Sequence, residues 1–402
     1  MATRRALGLI YSTVTLDTLA LGLMIPVLPG IVRDMMGGDI GATAQIVGLF
    51  ATVAGGLQIV FSPLLGALSD RWGRRPVLLI SCLGLGLDYF LMALAPTIAL
   101  LFVGRVIAGI TAATFQTCYA YIADVTPEEG RAKAFGMVGV GFALGFIVGP
   151  AIGGLLGTLD PRLPLWFAGA ACLTNAAIGW FILPESLPQE RRMTFSWARA
   201  NPLGTLQLLT RRIELAGLAT VGFLGQVAHQ VLIAVFVLYV AYRYGWDEGQ
   251  AGLSLAFSGI CSAVVQGLLI GPIVARLGER ATMVLGLLSG ALGLAIFGLA
   301  PAGWIFPLGI PLLAMTGLSG AASLSIMSRL VSPSEQGQLT GANSSLANVA
   351  ALFGPLLFGA IFAHFLTVLP GAPFLLAAGT LVAAAVTAWA ATRRLPPAAR
   401  PQ

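Results

Sequence analysis

The sequence predicts an all-α integral membrane protein, with twelve transmembrane helices arranged as two pseudo-symmetric six-helix bundles. Three observations predict it: the scarcity of charge, the alternation of basic residues along the chain, and a repeat at a fixed offset. Of 402 residues, 57% are hydrophobic and 9% charged, and the mean hydropathy is +0.90. Soluble domains carry about 25% charged residues. No water-soluble fold of this length covers its surface with so few, so the bilayer is the solvent. The 22 basic residues outnumber 16 acidic ones. They sit in short clusters between apolar runs, which is how membrane proteins use positive charge, and not on a solvated face that binds nucleic acid. Cys82, Cys118, Cys172 and Cys261 lie in apolar segments without metal or disulfide spacing and read as packing residues.

A spanning helix needs about 20 apolar residues. Twelve segments qualify in order: 7–30, 44–68, 76–94, 98–122, 132–157, 163–183, 213–241, 248–271, 281–299, 303–328, 338–365 and 368–392. The first follows a short basic start, Met1 to Ala6. It exceeds the apolar region of a cleaved signal, about 7 to 15 residues, and reads as a retained helix. Pro29-Gly30, Gly37-Gly38, Pro161 and Pro370-Gly371 mark turns. The polar stretch 184–212 reads as a linker between an N-terminal bundle, 1–183, and a C-terminal bundle, 213–402.

Counting loops alternately from the N-terminus assigns eighteen basic residues to one side: Arg4, Arg5, Arg71, Arg74, Arg75, Arg131, Lys133, Arg191, Arg192, Arg199, Arg211, Arg212, Arg276, Arg280, Arg329, Arg393, Arg394 and Arg400. The other side receives Arg33, Arg162 and Arg243, and Arg105 remains within a span. The positive-inside rule then predicts both termini in the cytoplasm. The halves repeat at an offset of 205: Gly66–Arg75 matches Gly271–Arg280, Gly136 matches Gly341, and Gly149-Pro150 matches Gly354-Pro355. Two such repeats around a midplane site describe many transporters.

The loop Gly66-x-Leu68-x-Asp70-Arg71-x-Gly73-Arg74-Arg75-Pro76 resembles the signature loop of the major facilitator superfamily. Gly104-Arg105-x-x-x-Gly109 resembles its buried-arginine motif. Gly141-x-x-x-Gly145-x-x-x-Gly149-Pro150-x-x-Gly153-Gly154 resembles the motif of drug:proton antiporters. Within these, Leu16-Asp17 through Pro26 and Pro29, together with Leu87-Asp88-Tyr89 and Gly109-Ile110-Thr111, are similar to TetA-type tetracycline exporters. The second half departs from that subfamily. Segment 281–299 has no acid, and Ser258 to Gln266 has no His, where those exporters carry each. The resemblance implies a bacterial inner-membrane exporter driven by the proton gradient, without cofactor or metal, working by alternating access.

Ionisable groups in the bilayer core are costly, by a few kcal/mol or more. Three stand in spans, all in the first half: Asp17, Asp88 and Arg105. Asp17 lies about 15 Å along its span at 1.5 Å per residue, a depth at which a neighbouring helix brings it to Arg105. A carboxylate that switches charge as its surroundings change suits proton exchange, so these three are the expected proton-coupling set. Asp70, Arg71, Arg74 and Asp124 collect at the expected inner face, where the resemblance implies gating. Arg75 reads equally as an anchor. Ala275 and Glu279 stand where the first half has Asp70 and Arg74, so the second half is expected to lack the same lock. Gly145, Gly149, Pro150 and Gly153 read as helix-packing residues, since small residues at four-residue spacing let helices approach.

A drug pocket is mostly apolar with a few polar groups. Phe115, Gln116 and Tyr119 in span four, Gln226, His229 and Gln230 in span seven, Gln266 in span eight, and Asn343 and Asn348 in span eleven are candidate substrate contacts. No HExxH, GxSxG or GxxxxGK[ST] motif occurs, so neither enzyme chemistry nor nucleotide drive is expected. The alternative is a proton-coupled or passive transporter of a small metabolite with the same fold. Partners are then a small amphiphilic molecule, protons and lipid, and a monomer suffices.

Overall fold

The computed structural model describes residues 2–192, 208–209, 211–332 and 335–393. Arg199, Arg394, Arg400 and most of the expected linker lie outside them. Among the described residues there is no β-strand. Fifteen α-helices follow in order: α1 (Ala2–Met24), α2 (Leu28–Met35), α3 (Ile40–Trp72), α4 (Arg74–Leu94), α5 (Ile98–Thr111), α6 (Thr114–Val125), α7 (Glu128–Gly157), α8 (Leu163–Ile182), α9 (Ile213–Tyr244), α10 (Glu248–Val264), α11 (Ile270–Leu299), α12 (Gly309–Ala314), α13 (Thr316–Leu330), α14 (Gln336–Phe365) and α15 (Ala372–Thr392).

Twelve spans account for these helices. Three spans are interrupted: α1/α2, α5/α6 and α12/α13. Pro29-Gly30 is no break, because Pro29 occupies the first turn of α2, where a missing N–H costs nothing; the turn comes at Gly37 and Gly38, with φ of 66° and 90°. Glu248–Leu299 runs as one helical stretch of 52 residues, so among the described residues eleven stretches are long and apolar enough to cross a membrane. Spans eight and nine divide within it at Gly278, whose φ of 75° is not helical. A π-helical turn, Val265–Leu269, sits at the end of α10.

Two compact units emerge. The first comprises residues 1–39, 53–201 and 246–256, and the second 40–52, 202–245 and 257–402. The core of the first includes Ile10, Val14, Leu78, Cys118, Tyr121 and Ile122. In the second, Phe297 stacks on Phe306 at 3.9 Å between centroids, and the Tyr239 hydroxyl donates to the Phe297 carbonyl at 2.8 Å.

Candidate proton site and substrate cavity

Asp17 is fixed by the way α1 packs. Gly145 and Gly149 of α7 lie against it so closely that a methyl at either would sit 2.7 Å from a carbonyl oxygen, of Thr15 and Leu19 respectively. A methyl on Gly22 would sit 2.7 Å from Pro150 Cδ, and one on Gly153 would meet Leu23. Backbone meets backbone along this seam, so side chains there have no room to adjust. Gly149→Val is expected to lower stability by about 2 kcal/mol through overpacking, read as a fall in melting temperature of the purified protein. An unchanged melting temperature would contradict the seam.

Held there, Asp17 is 6% exposed, and neither carboxylate oxygen has a hydrogen-bond partner. The Thr114 hydroxyl faces it, but without hydrogen-bond geometry. Thr114 opens α6 just after the chain leaves helical conformation at Ala112 and Ala113. Nearby, Asn175 donates to Thr13 Oγ1 at 3.0 Å and to Cys82 Sγ at 3.5 Å. Among the described residues no cation joins Asp17.

Arg105 pairs instead with Asp88, correcting the expectation of an Asp17–Arg105 contact. Asp88 is fully buried and Arg105 is 8% exposed. Gly104 makes the space: a methyl there would lie 2.5 Å from Asp88 Oδ1. One buried acid is therefore neutralised by a fixed partner, and the other is not.

At the expected inner end, Arg74 bridges two acids, Asp70 at 2.5 Å and Asp124 at 3.0 Å. Ser186 adds a hydrogen bond to Asp124 at 3.0 Å. Glu185, which sequence reasoning left in the linker, caps α4 by accepting the Arg74 backbone N–H at 2.8 Å, a favourable site for negative charge. Gly73, with φ of 108°, lets the chain turn beneath it. Arg71 is exposed and makes no ion pair among the described residues. Arg75 donates to the Trp180 carbonyl at the end of α8 and lies over its ring at 5.7 Å, an anchor and not a member of the cluster.

The second unit does carry a counterpart, with its charges reversed. Glu279 binds Arg329 through both carboxylate oxygens and accepts from Ser325 Oγ at 2.6 Å. Glu279 and Arg329 stand 205 residues after Arg74 and Asp124, so the repeat preserves the pair while exchanging acid and base. Glu279→Arg is expected to slow transport roughly tenfold, and Glu279→Arg with Arg329→Glu to restore most of it, a coupling of about 1–2 kcal/mol. A double variant no better than its parents would disprove the pairing's role. Further along, Ser332 hydrogen bonds and Arg211, at 2.6 Å, hold the Glu335 carboxyl below the usual carboxylate range.

The second unit also forms an open cavity of about 430 Å³ lined by α9, α10, α11, α12, α13, α15 and the π turn. Of the nine candidate substrate residues it gathers three: Gln226, His229 and Gln266. Gln230 is buried on another face of α9, where Gly354 of α14 makes room for it. Asn343 donates to Met327 Sδ at 3.9 Å, and Asn348 is exposed. Phe115 and Tyr119 pack edge-on against Phe142 and Phe135 in the first unit, and Gln116 is exposed beside them.

Membrane-length helices repeated in two units, with a buried acid and a buried ion pair in one and a cavity in the other, are the architecture of a solute transporter. The chain belongs to the major facilitator superfamily: the model of that family matches residues 10–265 and 218–402. It is 39% identical to tetracycline resistance protein, class C, of Escherichia coli, covering 90% of this chain and 91% of the relative. It is 34% identical to the class B protein of Escherichia coli over 89% and 88%, and 29% identical to multidrug resistance protein 2 of Bacillus subtilis (strain 168) over 88% of each. Among solved structures, nucleoside transporter NupG superposes with a TM-score of 0.79 at 15% identity, covering 96% of this chain and 99% of that one. A bacterial homolog of the human lysosomal transporter Spinster gives 0.77 at 16% identity, covering 98% and 97%. These two likenesses concern the fold alone.

Proposed function

We propose that this protein exports a small amphiphilic drug, tetracycline-like compounds first among them, in exchange for protons by alternating access. The single observation that carries the reading is Asp17: a buried carboxylate with no ion pair or hydrogen bond among the described residues, mid-way along a span. An uncompensated charge there is costly, and a proton removes that cost, so the group suits a carrier that loads and unloads protons. Asp88 and Arg105 form a fixed pair in the same unit. Asp70, Arg74 and Asp124 close the cytoplasmic end while the other end is open, with Glu279 and Arg329 doing the same in the second unit. Both termini are cytoplasmic, the proton gradient is the driving force without cofactor, and a single chain suffices. The names of the tetracycline and multidrug resistance relatives favour the substrate class.

The test follows proton movement in everted membrane vesicles energised by respiration while tetracycline, and then amphiphilic cations, are added. Drug-dependent proton release with the wild-type chain supports antiport. No response to any compound from folded, inserted protein moves the assignment to a metabolite transporter of the same fold.

A further inference from the structure

We infer that Thr114 is a positioning residue for proton exchange: the break in span four frees its hydroxyl, which turns to donate to Asp17 when the carboxyl gives up its proton. The inference rests on the exporter reading, in which Asp17 carries the proton, and assigns the group that steadies the charge left behind.

A threonine inside a helix commonly donates its hydroxyl to the carbonyl four residues back. Thr13, Thr15 and Thr18 of α1 do so, at 2.9 Å each, and so do Thr111 of α5 and Thr117 of α6. These hydroxyls are satisfied by their own helices. Thr114 would need Ile110, but Ala112 (ψ 73°) and Ala113 (φ −127°, ψ 4°) are not helical, and the turn that would present that carbonyl is missing. Thr111, on one side of the break, is wedged against Gly84 of α4, where a methyl would lie 2.4 Å from its side chain. On the other side Thr114 is 4% exposed, and its Oγ1 has no partner among the described residues. It does not cap α6 either. What it faces is Asp17.

With its proton on, the Asp17 carboxyl is neutral. When the proton leaves to water, the carboxyl O–H bond breaks and a negative charge stays in the bilayer core, where it is far more costly. A rotation of the Thr114 hydroxyl then sets an O–H against the carboxylate, and the Thr114 O–H bond itself stays intact. Hydrogen bonding to the charged form favours that form. Thr114 also opens α6, a helix end whose free N–H groups favour negative charge. The other groups around Asp17 do not replace this donor. Cys82 and Tyr89 of α4, Cys118 of α6 and Cys172 of α8 lie near enough to sense its charge, and thiols and phenols are ordinarily neutral at pH 7. Asp88 is taken up by Arg105. The seam with α7 is made of glycines, and Lys133 of that helix stands 12 residues before Gly145, about 18 Å away along the axis. Asp124 of α6 lies ten residues beyond Thr114, about 15 Å along its own axis.

The experiment records tetracycline-dependent proton release in everted vesicles, whose medium faces the cytoplasmic side, as the pH of that medium is varied. Thr114→Val keeps the shape without the hydroxyl. It is expected to move the midpoint of the pH profile upward by about one unit, a tenfold change in proton affinity, because the proton is then harder to release. Thr114→Ser, which restores the hydroxyl, is expected to bring the midpoint back. Thr117→Val is also buried on α6, but its hydroxyl is already bonded to the Ala113 carbonyl, so the midpoint is expected to stay. If Thr114→Val does not fold, Thr114→Ala stands in, with the same shift expected. A midpoint that stays in the variant lacking the hydroxyl, while release persists, overturns the role of Thr114 and leaves the exporter reading intact. A shift that serine does not reverse overturns it too, since packing and not the hydroxyl is then the cause. A wild-type protein without drug-dependent release at any pH overturns the exporter reading and this inference together.

Discussion

Vesicles carrying Asp17→Asn are expected to bind tetracycline as the wild type does, yet to release no protons on its addition and to build no drug gradient. The asparagine amide matches the carboxyl in size, so the α1–α7 seam, set by Gly145, Gly149 and Pro150 against Thr15, Leu19 and Gly22, is undisturbed. What disappears is the ability to carry a proton. Downhill exchange of labelled drug should persist, because opening and closing do not need that proton once both states are equally neutral. Uphill export by the purified variant would remove Asp17 from coupling altogether.

The second large effect concerns the Asp88–Arg105 pair. Removing one member of a buried ion pair typically costs about 3–5 kcal/mol, because the remaining charge is left uncompensated. Asp88→Asn and Arg105→Leu should each destabilise the protein by that order, seen as a large fall in melting temperature and in the yield of folded protein. Asp88→Asn combined with Arg105→Leu should recover much of the loss, since neither charge remains. That pattern separates this pair from Asp17, whose neutralisation should leave stability unchanged or raised. Equal melting temperatures for the single and double variants would show that the pair is not what holds α4 to α5.

Much of this was legible before any coordinates. Length, apolar runs and the alternation of arginines predict the spans, and the repeat at 205 predicts the duplication. The partner of Arg105 was legible too, from symmetry about a turn. Asp88 lies six residues before the end of α4 and Arg105 seven after the start of α5, so at 1.5 Å per residue they stand about 9 and about 10.5 Å from the turn. The reversed pair of the second unit was available by the same arithmetic, since adding 205 to Asp124 gives Arg329; comparing Glu279 with Arg74 alone hid it. Other features left no such signal. The interruption at Ala112–Ala113 contains neither glycine nor proline, and the π turn at Val265–Leu269 has an ordinary helical composition. Glu185 acts through a turn that only Gly73's positive φ makes possible. The substrate candidates scatter for a simple reason: a polar residue in a span can satisfy a helix neighbour as well as a ligand, and periodicity does not separate the two.

Because Asp88 is paired with Arg105, Asp17 is the carboxylate within the spans of the first unit that has no charged partner among the described residues. The electrical character of the exchange follows. With Asp17 as the carrier, one proton moves inward per cycle, and the membrane voltage supplies about 2.3 kcal/mol per elementary charge at 100 mV. Export of an uncharged drug then draws on the voltage and the pH difference together. Export of a monovalent cation moves no net charge and runs on the pH difference alone. Collapsing the voltage while keeping the pH gradient should therefore slow the first kind of export and spare the second.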